Sequence, residues 1–461
     1  MKKGIKNATV GNLLVIGFLL IVFLAPFMSN VQENMDFACT LSFAVNGFLF
    51  VMGIYQANRR RSISMELIYW LFMFFFMYFA PFIQYRFNVY PWRGYVTEDE
   101  VLHANALVLL FNVLFAGGCW IARRTKVVGF PDTGFTGWLC SRLEFKNKSK
   151  IILTLIICAC AAYSLSKTGL MGIFVSRSQA VQVFYSGDNS AVELIVESVV
   201  PSFMAYVVAE AAQSVVKKKE GCFRFILLFV CLLICFFPTA IPRYKAATIY
   251  GVVLVMLFPQ VCKGSRFFWL FTIGLFILFP LLNSFRHIIS QESIQSVINK
   301  GFFESYTDGN YDAWRMLVSA VRYNEAYGCT FGSQLLGVLL FFIPSAIWTS
   351  KPIGSGAMLI KTELGSQTFS NVSCPFIAEG YVNFGIIGIV IFALFLGILI
   401  TKLDKKYWEN IGTNKNGMFA PYLFLVFMLF FVMRGDLLSG FAYLCGFVAT
   451  GFLLKPFAKK A

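Results

Sequence analysis

The strongest constraint on this chain is a run of about 20 mostly apolar residues, repeated many times, because a helix needs that length to cross ~30 Å of hydrocarbon. Such runs occupy roughly residues 11–28, 37–56, 67–84, 103–122, 149–166, 192–216, 223–241, 246–262, 267–283, 382–401, 418–433 and 437–454. The sequence therefore predicts an all-α polytopic membrane protein with about 12 transmembrane helices. Composition agrees: 58% of residues are hydrophobic and only 13% charged, against ~25% charged in soluble domains. That excludes a soluble enzyme with a single anchor. The first run starts with Lys2, Lys3 and Lys6, lacks a small-residue cleavage site, and is expected to stay as an uncleaved first helix.

A thirteenth run, 333–347, is shorter and broken by Pro344, so its length suits a re-entrant or interfacial segment as well as a span. Basic residues concentrate on the cytoplasmic side of membrane proteins, and that rule chooses. Without a crossing at 333–347, 26 Lys and Arg fall inside and 13 outside; with one, the split is 22 to 17. The expected layout is one integral membrane domain with both termini cytoplasmic. Residues 1–283 hold helices one to nine, 284–381 form a large external loop, and 382–461 hold helices ten to twelve. The formal net charge of +16 then resolves into about +19 inside and −3 outside. It reports orientation, and nucleic acid is not an expected partner.

Of the twelve cysteines, most lie inside apolar runs, where a thiol packs as a small hydrophobe. None has zinc or redox spacing. Cys329 and Cys374 share the large loop, where a disulfide between them is allowed. His103 and His287 are the two histidines, too few and too far apart for a histidine-rich metal site.

The informative cations are those on the outer side. Arg243 and Lys245 sit at the outer ends of the seventh and eighth runs, Arg286 follows the ninth, and Arg434 ends the run at 418–433. An arginine at the hydrocarbon boundary is costly unless it snorkels or is paired. Local pairing, as of Arg434 with Asp436, is one reading; a shared anion site is the other. Arginine suits a polyphosphate because its planar fork binds in bidentate fashion and stays charged. The polyanion with a hydrophobic tail expected at this surface is a lipid-linked diphosphate sugar.

Other outer segments carry carboxylates and aromatics. Tyr90-Pro91-Trp92 precedes Thr97 and Glu100, which read as a capping box opening the fourth helix. In the large loop, Asp308-Gly309-Asn310-Tyr311-Asp312-Ala313-Trp314-Arg315 mixes acids, an amide and aromatics, the groups that bind sugar hydroxyls and ring faces. Asp312 and Arg315 are also spaced to pair on one helical turn. Glu379 and Asn383 share a helix face, and a partly buried carboxylate at Glu379 suits a general base or a helix cap.

The run 347–354, then Asn371-Val372-Ser373 and Pro375, then Glu379-Gly380-Tyr381 with Asn383-Phe384-Gly385 and Gly388, resembles the C-terminal signature of Wzy-type O-antigen or oligosaccharide repeat-unit polymerases. Pro242-Arg243, Arg286, Arg434-Gly435, Tyr90-Pro91-Trp92 and the spacing from Thr97 to Asn105 are similar to that family too. The resemblance implies a GT-C-like, metal-independent membrane glycosyltransferase without a cofactor, in the bacterial cytoplasmic (inner) membrane. It would join undecaprenyl-diphosphate-linked repeat units into O-antigen or capsular polysaccharide, with membrane lipid, a chain-length regulator and a flippase as partners. Under it, Arg243, Arg286 and Arg434 bind diphosphate, with Lys245 and Lys351 as further candidates. Glu379 is the catalytic base, with Asp312 second, and Trp314, Trp348, Tyr381 and Asn383 orient sugars. An O-antigen ligase would share fold and donor but differ in acceptor. A flippase or transporter would place its charges at mid-membrane, whereas here nearly all lie at helix ends.

Overall fold

The computed structural model describes residues 2–28, 36–92, 94–125, 144–169, 190–238, 240–278, 303–365, 372–413 and 420–459. In chain order its helices are α1 (Lys2–Leu24), α2 (Phe37–Arg60), α3 (Met65–Phe87, with a π-helical turn at Phe75–Phe79), α4 (Glu98–Arg124) and α5 (Asn147–Thr168). Next come α6 (Ser190–Val216), α7 (Cys222–Cys235), α8 (Arg243–Leu257), α9 (Arg266–Ile273), α10 (Ala313–Tyr327) and α11 (Ser333–Leu339). The last four are α12 (Ser355–Leu364), α13 (Phe376–Thr413), α14 (Ala420–Arg434) and α15 (Leu437–Leu454).

Each of the twelve apolar runs falls on one of these helices. Eight helices among the described residues are long and apolar enough to cross a membrane; Cys222–Cys235, Arg266–Ile277 and Ala420–Arg434 are apolar but shorter. The protein is thus all-helical and polytopic, with no named strand among the described residues.

Helix α3 is the central element, buried at every residue from Leu67 to Gln84. A helix apolar on every side must be buried, in protein or in lipid, and here neighbouring helices cover it. Its first turn needs acceptors for free N–H groups. Ser64 accepts from Leu67 N at 3.1 Å, and the buried Asp404 of α13 accepts from Met65 N at 2.9 Å and Glu66 N at 3.2 Å. Helices α4 and α13 approach closely because both present glycine: a Cβ at Gly118 would stand 2.8 Å from the Leu394 carbonyl, and one at Gly397 would collide with the Phe115 carbonyl. Small residues at such contacts are the usual means of bringing membrane helices together.

Near its start α13 breaks at Phe384–Gly385, where Gly385 has φ +59°. The broken ends fold so tightly that a Cβ on Gly388 would overlap the Gly380 carbonyl. Only glycine fits both positions, which gives the Gly380…Gly385…Gly388 pattern a structural cause.

The run 333–347 does not span. Its helix, α11, has seven residues, or about 10 Å at 1.5 Å per residue. The chain before and after it also meets on one side. Arg315 and Arg322 of α10 both bond to Glu363 of α12. Arg322 also holds Glu100, at the start of α4, at 2.5 Å. The end of the bundle where these segments gather is called the loop side below. The capping box at Thr97 and Glu100 is formed as its spacing implied.

Candidate functional site

The loop side gathers several charged residues that lie far apart in sequence. Asp312, only 1% exposed, stands at its centre, just before α10. It accepts from Trp92 Nε1 at 2.9 Å, from Ser373 N at 3.3 Å, from the Ser373 hydroxyl, and from Arg434 at 3.1 Å. Trp92 reaches it from a left-handed backbone conformation, φ +67°. That is rare for a bulky residue and is typical of conformations held in place at functional sites. Gln84 of α3 secures the preceding turns, donating to the Tyr306 and Tyr311 carbonyls at 2.9 and 3.0 Å.

Arg434, the last residue of α14, therefore pairs with Asp312 and not with the nearby Asp436. Its guanidinium also lies 5.6 Å from the centre of the Phe76 ring, which the π-helical turn of α3 presents. π-turns often mark functional positions. Its Nε is buried with no hydrogen-bond partner among the described residues. Arg243 opens α8, and the stack of Tyr244 on Phe431, 3.5 Å between ring centres, fixes that helix start against the end of α14. Burial pushes the Tyr311 hydroxyl above its ordinary pKa, while the charges of Arg243 and Arg434 pull it down.

A second cluster adjoins the first. Glu379, 0% exposed, accepts from the Ser355 hydroxyl at 2.8 Å and from Leu437 N at 3.0 Å. Asp436 accepts from Leu438 N at 2.9 Å and from Gly356 N at 3.0 Å. The N-terminal ends of α12 and α15 thus converge on two carboxylates, and helix N-termini favour negative charge. Asp436 is half-buried, and burial pushes its carboxyl above the ordinary range. Cys374 lies within electrostatic reach of Glu379, Asp436 and Asp312, which links the clusters.

Other expected site residues are placed differently. Arg286 and His287 lie outside the described residues. Trp314 is fully buried; its indole donates to Asn105 at 3.0 Å and its ring packs on Phe43 and Tyr90. It serves the core rather than a sugar-facing surface. Asn383 is likewise buried, donating to the Glu379 carbonyl at 2.9 Å and accepting from Thr330 Oγ1 at 3.2 Å. It fastens the α13 break to the loop. Tyr381 is 8% exposed, with its ring 6.2 Å from that of His103 and its carbonyl held by Asn324.

Lys351 donates to the Phe341 and Ile343 carbonyls at 2.7 and 2.9 Å, closing a turn of the loop. Trp348 bonds Ser350 at 3.0 Å in the same turn. Lys245 lies 4.4 Å from the Tyr443 ring centre and lines a cavity of about 30 Å³ with Ser198, Ser202 and Thr248. Arg315 pairs with Glu363 and not with Asp312. Cys329 and Cys374 are free thiols. Among the described residues, no group of three or more His, Cys, Asp or Glu could hold a metal ion.

Sequence reasoning did not assign site roles to Trp92, Ser373, Ser355 or Asp436. Trp92 and Ser373 lay inside motifs singled out above. Asp436 was considered only as a partner for Arg434, and Ser355 carried no signal beyond being polar next to a helix start.

Fold and site define a class: a polytopic helical membrane protein whose arginines and buried carboxylates gather at one end of the bundle. Residues 372–455 match the family model for O-antigen polysaccharide polymerase Wzy, about a fifth of the chain. The matched segment carries Ser373, Glu379, Asn383, Arg434 and Asp436, and it supports the Wzy-type family and an O-antigen polymerase role. No curated protein and no solved structure matches the chain.

Proposed function

We propose that the protein is a membrane glycosyltransferase that polymerises oligosaccharide repeat units carried on undecaprenyl diphosphate, working at the outer face of the cytoplasmic membrane. The observation that carries this reading is the position of Arg434, held on the buried Asp312 and two residues from Asp436, whose helix start also binds Glu379; the Tyr244–Phe431 stack sets the start of α8, with Arg243, against the same helix end. In the proposed reaction an acceptor sugar hydroxyl attacks the anomeric carbon of the donor glycan. A C–O bond forms, the bond to the lipid diphosphate breaks, and the hydroxyl proton passes to a carboxylate. Arg434 and Arg243, with Arg286 as a third candidate, neutralise the diphosphate as its charge develops.

The base is proposed to be the Glu379–Asp436 pair. Glu379 is sealed from solvent whereas Asp436 is half-buried, so Asp436 is the member proposed to take the proton, with Glu379 supporting it. Asp312 is committed to four donors, and its proposed role is to hold Arg434 in place. Lys245 and Lys351 are left out of the diphosphate group because neither is placed beside Arg434.

Purified protein supplied with lipid-diphosphate-linked repeat units should produce a ladder of chain lengths on a gel. Arg243→Ala and Arg434→Ala should abolish the ladder at normal protein level; full ladders from both would reject the diphosphate site. In cells, deletion should leave one repeat unit attached to the surface glycan. Loss of all attached glycan would point instead to a ligase or a flippase.

A further inference from the structure

Between α10 and α12 the loop carries large apolar side chains that face outward. Phe331 is 86% exposed, Ile347 78%, Leu339 58% and Phe342 57%, with Ile353 and Leu336 close to half. The segment 331–353 contains one charged residue, Lys351. Its ammonium is turned inward onto the Phe341 and Ile343 carbonyls, so it does not rim the apolar surface. Contiguous exposed apolar surface of this kind marks a partner or a membrane.

Position decides which. At one end, Gly332 packs on the Phe384 ring, which a Cβ would approach to 3.0 Å. Phe384 stands at the break of α13, and just beyond it Ile387, Ile391 and Phe395 are 68%, 54% and 58% exposed. These recur every four residues and form one outward stripe along a helix long enough to span. At the other end, the Phe341 ring meets Phe441 edge-on at 6.1 Å, in the first turns of α15. The segment thus lies across the loop-side ends of two membrane helices, continuous with the surface that α13 turns outward. Trp348, half-buried with its N–H on Ser350, is the residue type enriched at that depth.

We propose that segment 331–353 is a membrane-seated foot of the loop, its apolar face in contact with the acyl chains of the loop-side leaflet. The foot is fastened to α13 at both ends. Asn383 accepts from Thr330 Oγ1 and, at 3.4 Å, from Leu335 N; Ser355, just past the foot, donates to Glu379. Its seating in lipid sets the height of the loop against the two carboxylates. Amphipathic interfacial segments bind membranes by this burial of one face.

The test places photo-reactive p-benzoylphenylalanine at Leu339, Phe342 or Ile347, one at a time, in the full-length chain. The protein is reconstituted in nanodiscs of phosphatidylethanolamine and phosphatidylglycerol, irradiated and analysed by mass spectrometry. Ile387 serves as the lipid-facing reference, and Glu325, whose side chain is 62% exposed, as the water-facing one. Lipid adducts at the three foot positions at a yield comparable to Ile387, and none at Glu325, are expected. Adducts at Ile387 but not at the foot would overturn the proposal, as would cross-links from the foot to a second copy of the chain. Three separate positions keep the test intact if one variant folds poorly. The readout does not depend on enzyme activity, so it stands apart from the polymerase reading.

Discussion

Replacing Glu363 with Ala should undock the large loop, and the structure sets how much that costs. Glu363 lies between Arg315, whose side chain is 1% exposed, and Arg322, 28% exposed. Without the carboxylate, Arg315 keeps one hydrogen bond, to Ser319 Oγ at 2.7 Å, and becomes a buried cation with no counter-charge. Removing one member of a buried pair costs roughly 3–5 kcal/mol. Arg322 softens the loss, since it keeps Glu100 at 2.5 and 2.9 Å and the Tyr95 carbonyl. The low end, about 3 kcal/mol, is therefore expected. The double change Arg315→Met with Glu363→Leu removes both charges and should fall within about 1.5 kcal/mol of the parent. An exposed control, Glu409→Ala at the Lys405–Glu409 pair, should cost at most about 0.5 kcal/mol. Unfolding in mixed micelles, followed by far-ultraviolet circular dichroism, measures all four proteins. If Glu363→Ala matches the control, the ion network does not hold the loop.

The same network gives the protein a sensitivity to acid. Burial raises the Glu363 carboxyl, but hydrogen bonding to Arg315 and Ser319 and the charges of both arginines outweigh it and hold the pKa below its ordinary value of 4.5. A depressed carboxyl stabilises fully above that value and loses its contribution as pH falls through the lower, folded-state value. Loop-side proteolysis should therefore rise below about pH 4.5 and should not change between pH 6 and 8. Asp436→Asn keeps the size of the side chain and should lower the polymerisation rate at least about 10²-fold at unchanged protein level, the usual scale for a general base. A rate within threefold of the parent would remove Asp436 from the reaction. Gly388→Ala would drive a Cβ into the Gly380 carbonyl, and its yield of folded protein should drop sharply, while Gly17→Ala, which meets nothing within 4 Å, should not alter it.

How much could be read in advance depended on the range of the interaction. Apolar runs are written locally in the chain, so each of the twelve overlaps a helix among the described residues, although only eight of those helices are long and apolar enough to cross a membrane. Charge asymmetry across the bilayer is cumulative, and its preference for no crossing at 333–347 agrees with the seven-residue length of α11. Thr97 and Glu100 were legible because a capping box is closed within four residues. Arg315 and Glu363 lie 48 positions apart and Asp404 caps a helix 339 positions away; no local pattern encodes such pairs. Trp314 shows a different limit. It has the chemistry of a sugar platform and of a core filler alike, and only burial separates the two. For Arg434, pairing with Asp436 was the local alternative to an anion site, but that carboxylate is taken by the first turn of α15 and the arginine pairs with Asp312.

That exchange of partners explains how arginine and carboxylate coexist at one end of the bundle without cancelling. If Arg434 bonded Asp436, each would neutralise the other, and the proposed site would lose one anion-binding group and one base. The structure divides the work instead. Backbone N–H groups at the starts of α12 and α15, with the Ser355 hydroxyl, hold Glu379 and Asp436 without using a cation. Asp312, held also by Trp92 and Ser373, fixes Arg434 through one nitrogen and leaves its buried Nε without a partner among the described residues. A desolvated guanidinium N–H left open in this way is costly unless an anion completes it. The matched segment 372–455 supplies Glu379, Arg434 and Asp436, whereas Trp92, Arg243, Asp312 and Ser355 come from outside it. The proposed site therefore draws on the docked loop, and on that proposal the ion network around Glu363 would bear on activity while touching none of the proposed chemistry.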